Sequence, residues 1–153
     1  MLVSANHHIP NKPAFAYQHD EPNEQLDAVP RVLLVEDDHV IRLMMVAMLQ
    51  KHLGYVVKVT SSGEDAVTLF SQGFDLVIMD VGLPDLNGID TTKKIRQLYP
   101  KNNTPIVAYT AHGGEKVKEQ CYAAGMNAFI SKGDSLETFE QVIAETIAGG
   151  VMV

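Results

Sequence analysis

A chain of 153 residues has room for one domain and a tail, and a hydrophobic content of 46% suffices for a packed core. The formal net charge of −7 argues against direct binding to nucleic acid, and the single Cys121 excludes an internal disulfide and fits a reducing compartment. No run of eighteen apolar residues is present and the first residues lack the pattern of a secretory signal, so a cytoplasmic protein without membrane contact is expected.

Residues 1–30 hold Pro10, Pro13, Pro22 and Pro30 and show no apolar periodicity. With one lysine against four acids they read as a flexible acidic arm. From Arg31 onward short apolar runs alternate with helical patterns, the signature of a parallel sheet covered on both faces. The first strand, expected at 31–36, passes directly into Glu36-Asp37-Asp38. Asp38 suits the N-cap of a helix expected over 38–53. On that helix Ile41, Met44, Met45 and Met48 share a face and are expected in the core. Val40, Leu43 and Ala47 form a neighbouring apolar stripe that begins beside the acidic residues. It is either a widening of the core face or a docking surface.

A strand at 55–60 and a helix at 63–72 lead to a third strand at 75–80, Asp75-Leu76-Val77-Ile78-Met79-Asp80. It ends in a carboxylate facing the turn Gly82-Leu83-Pro84-Asp85, the kind of strand end where α/β proteins place their chemistry. Taken alone, Asp80 could equally be a solvated strand end. A helix at 88–98 precedes a strand at 105–110 that closes with Thr110. A helix at 114–124 carries Cys121 in a packing role, and a strand at 128–131 runs into Lys132. The last helix is expected at 135–147. Residues 149–153 leave no room for an effector domain, so output through protein contacts is expected. Gly54, Gly73 and Gly125 stand where C-terminal caps belong.

If the first and third strands are parallel neighbours, Glu36, Asp37 and Asp80 converge at one edge of the sheet. Three carboxylates so close raise one another's proton affinity unless a cation is present. All-oxygen ligands suit Mg²⁺ or Mn²⁺ rather than zinc. Thr110 and Lys132, each closing a strand, add a hydroxyl and an ammonium, which together with a metal are what a transferred phosphoryl group needs.

The segments Val32 through Asp38, Asp75 through Gly88, Ile106 to Ala111 and Phe129 to Lys132 resemble the receiver domain of two-component response regulators, over about Arg31 to Ala148. The runs Met79 to Asp85 and Ala124 to Ala128 are most similar in character to receivers of hybrid sensor kinases and phosphorelays. The resemblance implies a flavodoxin-like (βα)5 fold, a doubly wound five-stranded parallel sheet. It implies an arm at 1–30, a receiver at 31–148 and a tail at 149–153. By it, Asp80 is the phosphoacceptor, and Glu36, Asp37, Asp80 and the backbone carbonyl of Gly82 hold Mg²⁺. Thr110 and Lys132 contact the phosphoryl group. Thr110 would then move towards that group, and the Phe129 ring would turn into the space it vacates. The donor would be a histidine kinase or histidine phosphotransfer protein docked on Val40, Leu43 and Ala47, and a downstream protein would read the switch.

Three departures from the family pattern stand out. Glu36 takes the place of the commoner Asp, and Gly133 follows Lys132 where Pro is usual, which leaves that loop less constrained. Gly82 and His112 occupy positions that tune phosphoryl lifetime in the family, and a bare Gly82 leaves access to Asp80 open. Other readings fit less well. A receiver that only binds protein would usually have lost an acid or the lysine. A phosphatase with an aspartyl-phosphate intermediate would have a second Asp where Gly82 stands. A dinucleotide binder would need a Gly-rich turn after the first strand.

Overall fold

The structure, a computed structural model, describes residues 29–111 and 113–149. The expected arm lies outside these residues up to position 28, as do His112 and the tail beyond Gly149. Five strands, β1 (Arg31–Val35), β2 (Val56–Thr60), β3 (Leu76–Asp80), β4 (Ile106–Thr110) and β5 (Ala128–Ser131), form one sheet in the order β2-β1-β3-β4-β5. Every neighbouring pair is parallel. This is the flavodoxin-like order. The chain reverses its direction of travel across the sheet between β1 and β3, and crevices at such reversals are where ligands bind in open α/β sheets.

Five helices connect and follow the strands: α1 (His39–Ala47), α2 (Gly63–Phe70), α3 (Gly88–Leu98), α4 (Glu115–Ala124) and α5 (Leu136–Ile147). Alternation along the buried strands divides the core between the two faces. Leu33, Val35, Val77, Met79, Ile106 and Ala108 pack under α2, α3 and α4 through Phe70, Ile95 and Cys121. Val32, Leu34, Leu76, Ile78, Val107 and Ile130 pack under α1 and α5 through Met45, Leu49, Phe139 and Ile143. Cys121 is fully buried, as a packing residue should be, and burial pushes its thiol pKa up.

Helix boundaries follow local chemistry. Asp38, Ser62, Asn87 and Ser135 each accept a hydrogen bond from a backbone N–H of the first turn that follows them, satisfying donors the helix itself cannot. Gly54, Gly73 and Gly125 adopt φ of 71°, 86° and 105°, the left-handed conformation that ends helices at glycine.

The face of α1 differs from the expectation. Met45 and Met48 are buried and Ile41 is half-buried, but Met44 is 58% exposed and Leu49 fills the core in its place. The helix continues from Met48 to His52 as a π-helical turn, and Leu49, four residues after Met45, lies on the same buried face. Val40, Leu43 and Ala47 are exposed, so their stripe is surface and not a widening of the core face. Among the described residues, no helix is long and apolar enough to cross a membrane.

Candidate functional site

The parallel pairing of β1 with β3 sets Val35 beside Met79, so Glu36 and Asp80 leave the sheet at the same edge. Glu36 lies one residue beyond β1 and is tied to the second strand by its N–H, which donates to the Thr60 carbonyl at 3.0 Å. Its side chain is fully buried, Asp80 is 5% exposed, and Asp37 faces solvent. One oxygen from each of the three lies within 4.8 Å of the others. Asp38 takes no part, because its Oδ1 accepts the Ile41 N–H at 2.9 Å as the cap of α1.

Lys132, just past β5, reaches across this edge. Its Nζ donates to Asp80 Oδ2 at 3.2 Å and to Glu36 Oε1 at 3.3 Å, and lies 3.1 Å from Glu36 Oε2. The other Asp80 oxygen, Oδ1, accepts the Gly82 N–H at 3.0 Å. Gly82 is exposed, and a side chain there would lie in van der Waals contact with that same Oδ1, so the bare glycine leaves the carboxylate approachable. Thr110 is buried at the end of β4, one residue beyond the Tyr109 that pairs with Asp80, and its carbonyl accepts the Lys132 N–H at 2.8 Å.

Phe129 pairs with Ala108, and Thr110 lies two residues further along the same strand, so Phe129 and Thr110 share a face of the sheet. The Phe129 ring is half-buried against the core, under Lys118 with Nζ 6.0 Å from the ring centre. A Cβ on Gly113 would come within 2.9 Å of the ring, so the β4–α4 loop grips the ring closely. The turn after Lys132 is better fixed than the Gly133 departure suggested. Ser131 N–H donates to Asp134 Oδ2 at 3.0 Å, Asp134 N–H to the Ser131 carbonyl at 2.9 Å, and Gly133 N–H to Ser131 Oγ at 3.3 Å.

Charge imbalance makes this edge a candidate cation site. One ammonium faces three carboxylates. Glu36 Oε2, though close to Lys132, accepts no aligned hydrogen bond from any described residue. Burial raises the Glu36 pKa from 4.5 to about 7, with the neighbouring Asp80 charge adding to it and the Lys132 bond opposing it. For Lys132, burial works against the ammonium, but its bonds to Glu36 and Asp80 outweigh burial and the pKa is raised. A hard divalent cation with oxygen ligands fits this set, since it would satisfy the orphaned oxygen and replace the proton on Glu36.

A pH dependence follows. A folded pKa above the unfolded value means that the native state binds the proton more tightly. The contribution of Glu36 to stability is therefore full below about 4.5 and lost as pH rises through about 7 in metal-free protein. Glu36→Gln is expected to flatten that slope in chemical denaturation between about pH 5 and pH 8. Equal slopes in the two proteins would refute the assignment.

The structure places one feature that the sequence reading missed. Beside Lys132 a groove of about 380 Å³ opens between α1 and α5, bounded by Met44, Ala47, Met48, Leu136 and Phe139. Met44 and Leu136 are exposed and extend the Val40–Leu43–Ala47 stripe to the lysine.

The model of a family described as the response regulator receiver domain matches residues 32–144. Histidine kinase 5 of Arabidopsis thaliana is 32% identical over 143 residues, covering 76% of this chain. The chain spans between 6% and 16% of the length of such curated relatives. The receiver domain of a sensor histidine kinase from Pseudomonas aeruginosa, solved with a magnesium ion coordinated in its active-site cleft, superimposes with a TM-score of 0.71 at 33% identity. That match covers 79% of this chain and 99% of that one. The chemotaxis protein CheY4 of Vibrio cholerae superimposes with a TM-score of 0.69 at 28% identity, covering 77% and 98%.

Proposed function

Because the chain belongs to the response regulator receiver domain family, we propose that it accepts a phosphoryl group from a phosphohistidine onto Asp80 and thereby switches protein-binding surfaces or relays the group onward. The observation that carries this reading is the Lys132 ammonium held between Asp80 Oδ2 and buried Glu36 at the mouth of the β1–β3 crevice. Glu36, Asp37, Asp80 and the Gly82 carbonyl would hold Mg²⁺, or Mn²⁺ in its place. When bound, that cation screens the carboxylates from an incoming anionic phosphoryl group.

The chain's own groups carry the transfer. An Asp80 oxygen attacks phosphorus, the P–N bond to the donor histidine breaks, and its electron pair stays with the imidazole. Lys132 balances the charge on a phosphoryl oxygen and Thr110 donates to another. As Thr110 closes on the phosphoryl group, Phe129, on the same face of the sheet, follows it inward and repacks the surface of α4, β5 and α5. A pseudo-receiver that only binds protein is the weaker reading, since all three acids, Thr110 and Lys132 are in place. A cytoplasmic location, with protein rather than nucleic-acid partners, completes the proposal. The net charge of −7 and the lone buried cysteine support it.

The exposed stripe of Val40, Leu43, Met44 and Ala47 offers a histidine-bearing helical partner an apolar platform that reaches Lys132, the partner of Asp80. Leu43→Glu should lower transfer from a histidine phosphotransfer protein by about tenfold or more, while leaving labelling by a small phosphodonor unchanged. A rapid-quench assay with both donors checks this. Unchanged protein-to-protein transfer would remove the stripe from the docking surface.

A further inference from the structure

We propose that Asp85 is a positioning residue for the cation site, holding the β3–α3 loop so that the Gly82 backbone stays presented beside Asp80. This deepens the receiver reading and rests on it. Asp85 sits in an exposed loop, yet its carboxylate makes three long-range bonds to the start of α2. Oδ2 accepts from Ser62 Oγ at 2.8 Å and from Glu64 N–H at 3.1 Å, and Oδ1 accepts from Gly63 N–H at 3.1 Å. The adjacent Leu86 N–H and the bonds from Glu64, Gly63 and Ser62 hold the Asp85 carboxyl well below the usual carboxylate range.

Helix α2 also has a cap of its own. Ser62 Oγ already accepts the Asp65 N–H as an N-cap, at 3.2 Å. The carboxylate takes the Gly63 and Glu64 N–H groups that Ser62 leaves open, and in doing so ties the β3–α3 loop to the start of α2. One residue further on, Leu86 packs so closely on α2 that a Cβ on Gly63 would overlap its carbonyl and the Thr91 hydroxyl, and that carbonyl accepts from Thr91 Oγ1 at 3.1 Å. At the other end the Gly88 N–H closes the loop on the Val81 carbonyl at 3.0 Å. Between these anchors only Leu83 is buried. Gly82 is three residues from Asp85, across buried Leu83 and the fixed φ of Pro84, so a tether at Asp85 is transmitted to Gly82 along a stiff, short path. Metal sites depend on the groups that orient their ligands, and losing such a partner costs about 10- to 100-fold in affinity.

Asp85→Ala and Asp85→Asn, in the full chain, test the role through nuclear magnetic resonance. Two quantities are read: the Mg²⁺ dissociation constant from a MgCl₂ titration, and hydrogen exchange of the Gly82 amide in metal-free protein. Asp85→Ala is expected to raise the dissociation constant by about tenfold and to speed Gly82 exchange by a similar factor. Asp85→Asn, which keeps the size but has one acceptor oxygen for three donors, is expected to fall between it and wild type. The Mg²⁺ concentration giving half-maximal labelling by a small phosphodonor should rise in step, with the rate at saturating Mg²⁺ within about twofold of wild type. Loss of a residue that merely stabilised the fold would lower the melting temperature and leave both quantities unchanged. A folded variant with unchanged Mg²⁺ affinity and Gly82 exchange overturns the Asp85 role alone. A wild-type protein that binds no Mg²⁺ at this edge overturns both that role and the receiver reading.

Discussion

Lys132→Ala is expected to slow phosphoryl acceptance at Asp80 by about 10²- to 10³-fold, the usual loss when one preorganised charge at a reacting centre is removed. The lysine side chain is 15% exposed and serves Asp80 and Glu36 together, so little solvent can stand in for it. Its removal also leaves two buried carboxylates with fewer donors. That is expected to cost about 1–3 kcal/mol of stability in metal-free protein. Cation binding should respond in the opposite sense. The ammonium competes electrostatically with a divalent ion for the same three acids, so Mg²⁺ affinity in Lys132→Ala should be equal to or higher than in wild type. Stopped phosphorylation time courses with a parallel Mg²⁺ titration separate the two effects. Weakened Mg²⁺ binding together with slow labelling would place Lys132 in the metal site instead.

The second large effect is structural. A Cβ on Gly88 would overlap the carbonyl oxygen of Asp80 and press on the Met79 side chain, where α3 begins directly against the end of β3. Those neighbours are strand backbone and core, which have little freedom to move. Gly88→Ala is therefore expected to destabilise the domain by about 3 kcal/mol, at the upper end for overpacking, and to displace Asp80 from Lys132. Chemical denaturation with labelling at Asp80 reads both consequences. A variant of wild-type stability would show that α3 can slide away from the strand without cost.

Much of this site was legible in the sequence because its residues are announced locally. Each of Glu36, Asp80, Thr110 and Lys132 closes a short apolar run, and a parallel sheet necessarily gathers such ends at one edge. The caps at Asp38 and the glycines at 54, 73 and 125 are likewise set within a turn of their own position. What the sequence concealed depends on distance or on phase. Asp85 reads as an ordinary turn residue, since its partners lie 21 to 23 positions earlier and nothing in Gly82-Leu83-Pro84-Asp85 points to them. Ile41, Met44, Met45 and Met48 fit a helical face, but so do Ile41, Met45, Met48 and Leu49, and the structure takes the second set, which leaves Met44 in solvent. The difference has consequences for function, because exposed Met44 joins the apolar stripe to the groove beside Lys132. His112 lies outside the described residues, and its effect on phosphoryl lifetime remains an expectation from the sequence.

The central claim is that Asp80 accepts a phosphoryl group in a cation-dependent reaction. Its most direct test is the intact mass of the protein after incubation with a small phosphodonor, with and without Mg²⁺, for wild type and Asp80→Asn. One phosphoryl adduct that requires Mg²⁺ and forms on wild type alone is the predicted result. An unmodified wild-type protein, folded and with Mg²⁺ present, or an equal adduct on Asp80→Asn, would contradict it.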